Sequence, residues 1–151
     1  VFGNEEDFDA ALRIKVKSDA TNYQKLDTDS YLEMMQSVSE EFPNILAVAT
    51  SLRTVKSASI NDWNALLWLQ GSGTFIGNKM EKLEIFDRVG GGDSFASGLI
   101  YGFLAGHSPQ ESLQLGIAHG ALAMTTPGDT SMVSLAEVQK LAAGGNARVE
   151  R

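Results

Sequence analysis

Asp87-Arg88-Val89-Gly90-Gly91-Gly92-Asp93-Ser94-Phe95-Ala96-Ser97-Gly98 is the stretch on which the reading of this chain turns. It follows a short apolar run, Leu83-Glu84-Ile85-Phe86, and leads into a helical pattern through Leu99, Ile100, Phe103 and Leu104. Three glycines therefore stand between a predicted strand and a predicted helix. Glycine accepts the dihedrals that turn several backbone N–H groups toward one point, and it leaves no β-carbon in the way. The unpaired N–H groups of the helix's first turn add partial positive charge, so the turn suits a phosphate. Asp93 then needs a reason to be there. A carboxylate repels such a ligand unless it has a chemical task, for instance taking a proton from an attacking hydroxyl. The alternative is a plain helix start with Asp93 as its N-cap. Two other nucleotide templates fail: Phe95 stands where GxGxxG needs its third glycine, and no GxxxxGK[ST] occurs.

The segment resembles the signature of the ribokinase-like (PfkB) sugar kinases, in which an Asp, two residues, Gly-Ala-Gly and Asp precede a helix. Gly91 takes the place of the alanine, and Arg88-Val89 replace the more usual Thr-containing pair. Within the family, Asp-Arg-Val-Gly-Gly-Gly-Asp is most similar to the 2-keto-3-deoxygluconate kinase branch. The resemblance implies that Gly90, Gly91 and Gly92 form an anion hole and that Asp93 is the catalytic base. Asp87 and Arg88 fall on the substrate side of the motif. Arg88 could face the carboxylate of a sugar acid or pair with a nearby Glu.

The 151 residues suit one domain with a sizeable core. Hydrophobic content of 43%, charged content of 21% and 15 glycines describe an ordinary globular composition. A net charge of −7 argues against non-specific nucleic-acid binding. ATP is still compatible, because local backbone donors and Mg²⁺ outweigh distant charge. The absence of cysteine excludes disulfides and Cys-ligated metals, in keeping with the cytoplasm. No apolar run approaches the roughly 20 residues of a membrane span, and no signal peptide is visible. The chain begins Val1-Phe2-Gly3, in mid-pattern and without an initiator Met. Kinases of the family run to about twice this length. Residues 1–151 are therefore expected to be the C-terminal, ATP-binding part, without the N-terminal sugar-binding part and lid.

Val1-Phe2 reads as a strand end, and Gly3 to Asp7 as a turn into a helix with Phe8, Ala11 and Leu12 on its apolar face. Asn4 can cap that helix, with acids favouring its dipole. Asn4-x-x-Asp7 also resembles the family's Asn-x-x-Glu motif, which helps to place Mg²⁺ through water. Glu6 could substitute for Asp7 if the turn shifted by one. One or two carboxylates suffice for a cation that keeps several waters. Residues 13–26, with Lys15 and Lys17, read as a polar loop or short helix. Asp27 to Ser30 form a capping cluster before a helix of about 12 residues carrying Tyr31, Met34, Met35 and Val38, stopped by Pro43.

The apolar run Ile45–Leu52 suggests a central parallel strand, whose C-terminal end is where an open α/β sheet places ligands. By family resemblance, Thr50, Ser51 and Arg53 are nucleotide candidates, with Arg53 equally readable as a surface charge. Ala65–Leu69, the turn Gly71-Ser72-Gly73, Thr74–Ile76 and Leu83–Phe86 read as antiparallel strands. Trp63 and Trp68 read as packing residues. A helix over 93–105, with Gly106 as C-cap, follows the glycine turn. Ser108-Pro109-Gln110-Glu111 is a capping box opening a helix. The small residues Gly116, Ala118, Gly120 and Ala121 of that helix admit another backbone or a flat ring. By resemblance it borders the adenine pocket, making His119 either a pocket wall or a structural histidine. Pro127 to Thr130 form a turn, and Ser134 to Glu137 box the last helix, which runs to about Ala143 and stops at Gly144-Gly145 before a frayed tail over 146–151.

The alternation of elements predicts an α/β chain with a mainly parallel sheet, and the resemblance implies a ribokinase-like three-layer fold. It implies ATP and Mg²⁺ as cofactors and transfer of the γ-phosphoryl group to the C6 hydroxyl of 2-keto-3-deoxygluconate. Expected partners are a sugar acid and ATP, with no nucleic acid and no membrane, and with a homo-oligomer open. Another sugar or nucleoside acceptor and a non-catalytic α/β module are the competing readings.

Overall fold

The computed structural model describes residues 1–16 and 28–144. Residues 17–27 and 145–151, which take in Lys17, Asp27, Gly145, most of the expected loop and all of the expected tail, lie outside the described residues. In chain order the elements are β1 (Phe2–Gly3), α1 (Glu5–Leu12), α2 (Thr28–Glu41), β2 (Ala47–Val55), β3 (Ile60–Leu69), β4 (Gly73–Ile76), β5 (Met80–Glu84), α3 (Gly91–Leu104), α4 (Pro109–Met124) and α5 (Leu135–Ala142).

The sheet is mixed, which corrects the expectation of a mainly parallel one. β1 runs parallel to β2, whereas β2–β3, β3–β4 and β3–β5 are all antiparallel. The cause is local. β2 returns into β3 through the four residues Lys56–Ser59, and so short a link can join only antiparallel neighbours. The run at Ile45–Leu52 is apolar because helices cover both faces of β2. Val48 and Leu52 face the side of Phe8, Met34, Met35 and Val38, while Ala49 faces the side of Trp63, Phe95, Leu99 and Ile117. The result is three layers, with α1 and α2 on one face and α3, α4 and α5 on the other. A fully buried aliphatic side chain such as Leu99 or Ile117 contributes about 1.5–3 kcal/mol.

Most helix ends lie where the capping residues set them. Ser108 and Ser134 each accept a hydrogen bond from the N–H of a Glu whose carboxylate returns to the serine. α3 ends in a Schellman turn, with Gly106 N–H donating to the Phe103 carbonyl and His107 N–H to that of Gly102. Gly106 supplies the left-handed φ of +79° that this turn requires. Trp63 is core, as expected. Its indole N–H donates to the Ile117 carbonyl at 3.2 Å, and its ring meets Phe95 edge-on at 6.5 Å.

Candidate active site

β5 delivers the chain to the glycine turn through fixed contacts. Ile85 N–H donates to the Ser59 carbonyl at 2.7 Å, and Phe86 N–H donates to the Met124 carbonyl at 2.9 Å. Asp87 then folds back, its Oδ1 accepting Val89 N–H at 3.0 Å, an arrangement short polar side chains favour in turns. Gly90 is the N-cap of α3, with φ +82°. A β-carbon there would collide with the Asp129 carbonyl, and one on Gly91 would come within 2.8 Å of Met124 Cγ. Gly92 differs: nothing lies within 4 Å of where its β-carbon would be. Packing explains the first two glycines. Only open access to the backbone distinguishes the third.

The reading of Asp93 as an N-cap is not what the structure shows. The cap is Gly90, no side chain bonds to it, and α3 begins two residues before the predicted start. Asp93 is the third residue of the helix, exposed, and not used as a cap. It therefore lies in the first turn beside the N–H groups that lack an intrahelical acceptor. The turn can stabilise an anion while presenting a carboxylate at its rim.

α3 and α4 approach almost backbone to backbone. A β-carbon on Gly116 would lie 2.8 Å from the Phe95 carbonyl oxygen, and one on Gly120 would lie 2.9 Å from that of Gly91. Of the two occupants the small residues admit, another backbone fills these positions. His119, on the same helix, is half-buried, and its Nε2 lies 2.8 Å from Ser131 Oγ. Burial lowers its pKa, and an interaction with the Ser94 backbone pulls the other way. The ring is engaged by the Ser131 hydroxyl of the segment that follows α4.

Asn4 and Asp7 form a complete capping box. Asn4 Oδ1 accepts from Glu6 and Asp7 N–H at 2.8 and 3.0 Å, and Asp7 Oδ2 accepts Asn4 N–H at 2.9 Å. Both remain exposed, leaving the second Asp7 oxygen available beyond these bonds. β1 is held at the sheet by its pairing of Gly3 with Thr50, and Phe2 meets Phe95 at 6.4 Å. Thr50 is fully buried on the α1–α2 side, which leaves Ser51 and Arg53 as the strand's reachable candidates. Arg88 donates from Nη2 to the Ala58 carbonyl at 3.1 Å, tying the glycine turn to the β2–β3 hairpin. That contact is neither of the two partners the sequence suggests for it.

One charged cluster escaped the sequence reading. Asp62, on β3, is buried, accepts Lys82 N–H at 3.0 Å and pairs with Lys79 at 2.8 Å and Lys56 at 3.4 Å. Burial by itself would raise its pKa, but these donors outweigh that and hold it below the usual carboxylate range. The available signal was an acid at the polar start of a buried strand, where Asn61, Asp62 and Asn64 interrupt the apolar run that ends at Leu69. Among the described residues no three His, Asp or Glu side chains converge to hold a metal, and no helix is long and apolar enough to cross a membrane.

Comparison with known proteins gives a match to the pfkB family of carbohydrate kinases over residues 1–136. The chain belongs to this family. The matched span takes in Asn4 and Asp7, the glycine turn, Asp93 and His119. The fold is similar to the crystal structure of 2-dehydro-3-deoxygluconokinase from Thermotoga maritima, with a TM-score of 0.82 and 34% identity, covering 95% of this chain and 41% of that one. Among curated pfkB-type relatives, 2-dehydro-3-deoxygluconokinase of Bacillus subtilis is 46% identical over 59 residues, 39% of this chain and 18% of the relative. The 1-phosphofructokinase of Escherichia coli K12 is 41% identical over 59 residues, 39% of this chain and 19% of that enzyme. The chain thus spans about two-fifths of the solved kinase, and the curated alignments cover under a fifth of each relative.

Proposed function

We propose that the chain is the C-terminal, nucleotide-side part of a kinase that transfers the γ-phosphoryl group of ATP to the C6 hydroxyl of 2-keto-3-deoxygluconate. The observation that carries this reading is the pairing of open space at Gly92 with an uncommitted carboxylate at Asp93, one residue on. A phosphate fits the first: the helix's first-turn N–H groups lack intrahelical acceptors, and the space beside Gly92 is clear of other atoms. Mg²⁺ suits the second oxygen of Asp7, which would hold it through water while Asn4 fixes that carboxylate in place, and when bound it would neutralise phosphate charge.

Asp93 accepts the proton of the acceptor hydroxyl as its oxygen bonds to the γ-phosphorus and the bond to ADP breaks. The N–H groups of Gly90, Gly91 and Gly92 take up negative charge that develops on the phosphoryl oxygens. These groups are fixed before the reaction, since Gly90 is held against Asp129 and Gly91 against Met124. Phosphoryl transfer depends mainly on such positioning and electrostatic stabilisation. Ser51 and Arg53 are the side chains of β2 assigned to the nucleotide.

A sugar phosphate is the second acceptor class, favoured by the 41% identity to 1-phosphofructokinase. The deciding experiment is ADP release by the full-length kinase with Mg-ATP and each of 2-keto-3-deoxygluconate, fructose 1-phosphate and ribose. Preferential turnover of the sugar acid supports the first reading. Preference for fructose 1-phosphate replaces it with the second, and no turnover with any acceptor favours a non-catalytic module.

A further inference from the structure

We propose that His119 is a positioning residue, which with Ser131 holds the α4–α5 connection so that the Asp129 carbonyl seats against the start of α3. Three contacts made by different parts of the chain carry this. The Asp129 carbonyl occupies the space beside Gly90, the N-cap of α3. Two residues on, Ser131 Oγ lies 2.8 Å from His119 Nε2. His119 adjoins Gly120, where a β-carbon would lie 2.9 Å from the Gly91 carbonyl oxygen, so at this point α4 lies against the first turn of α3. Ser94 directly follows Asp93 and is buried, and its N–H donates to the Gly90 carbonyl at 2.9 Å.

The connection is also pinned where it leaves α4. Thr125 Oγ1 donates to the Leu122 carbonyl and Thr126 Oγ1 to that of Ala123, both at 3.0 Å. It therefore meets the glycine turn at its N-cap through Asp129, and Ser131 and His119 hold it to α4 where that helix lies against the first turn of α3. A histidine spent in this way orients the backbone that carries Asp93 and does not stack on a nucleotide base. Such support matters because catalytic groups lose efficiency with displacements of an ångström or less.

The catalytic meaning of this latch rests on the kinase reading, whereas its existence is testable without it. Amide hydrogen exchange would be measured on the 151-residue chain free of nucleotide, in wild type, Ser131→Ala, His119→Ala, His119→Gln and the double Ala variant. Exchange of the Ser94 amide is expected to quicken at least tenfold in Ser131→Ala and in His119→Ala. The double variant should be no faster than the singles, because both remove one link. His119→Gln, which keeps a donor and an acceptor, should retain most of the protection, and the central residues of α4 should be unaffected in Ser131→Ala. Unchanged Ser94 exchange in Ser131→Ala, or effects that multiply in the double variant, would overturn the latch. If His119→Ala does not fold, Ser131→Ala and His119→Gln decide alone. A parallel calorimetric titration with Mg-ADP separates the two ideas: no binding by wild type, with the exchange effects intact, counts against the kinase reading and leaves the latch standing.

Discussion

The backbone carbonyl of Asp129 fills the space that a β-carbon on Gly90 would need, and Gly90 stands at φ +82°. The turn after α4 therefore sets the N-cap of α3. Gly90→Ala combines a left-handed penalty with overpacking, and should destabilise the chain by about 2–4 kcal/mol. Urea denaturation checks this.

Gly92→Ala should behave in the opposite way. Nothing crowds that position, and alanine suits a helix better than glycine, so stability should stay within about 1 kcal/mol of wild type. If the open space admits phosphate, Mg-ADP affinity should nevertheless fall at least tenfold by calorimetry, since a methyl group would partly cover the exposed N–H groups. Loss of binding with retained stability separates a ligand-bearing glycine from a packing glycine.

Asp62 makes the stability depend on pH in a defined sense. Its folded pKa is depressed, so the unfolded chain binds its proton first as pH falls. Its contribution is fully present above the ordinary Asp value of about 4 and is lost as pH drops through the lower folded value. Asp62→Asn should cost about 1–3 kcal/mol at pH 7. That difference should shrink as denaturation is repeated at progressively lower pH below 5.

Lys82 sits beside this cluster at φ +55°, a left-handed conformation, where β5 pairs irregularly with β3. Its N–H is bonded to Asp62, so the conformation is held by that carboxylate. Lys82→Gly should raise stability by about 0.5–1 kcal/mol, the left-handed penalty less the added entropy of glycine in the unfolded chain. A rise in Tm with the Asp62 pH dependence preserved is the expected result.

The glycine turn, the helix boundaries at Ser108 and Ser134, and the two-sided burial of β2 were legible because each rests on a local pattern of three to eight residues. Strand direction was not. Ile45–Leu52 carries the same apolar signature whether its neighbours run parallel or antiparallel, and the deciding feature is the short Lys56–Ser59 link. The N-cap fell on Gly90 and not on Asp93 because the Asp129 contact that fixes the turn comes from a segment 39 residues further along the chain, distant in sequence and involving only backbone. The partner of Arg88 was hidden for the same reason, since the Ala58 carbonyl has no side-chain signature. Asn4 and Asp7 form the capping box that their spacing predicts, and the cation site proposed for them calls on the same side chains, which is why the sequence offered both readings.

The central claim is that Asp93 is the base and that the first turn of α3 is where phosphoryl transfer occurs. The most direct measurement is coupled ADP release by the full-length kinase, with 2-keto-3-deoxygluconate and Mg-ATP, for wild type and Asp93→Asn. The substitution keeps size and shape, and an exposed first-turn charge is worth only about 0.3–1 kcal/mol to the helix. Folding should survive, while kcat falls by about 10²–10⁴-fold, as for loss of a general base. A correctly folded Asp93→Asn enzyme that turns over the sugar acid at the wild-type rate would contradict the account.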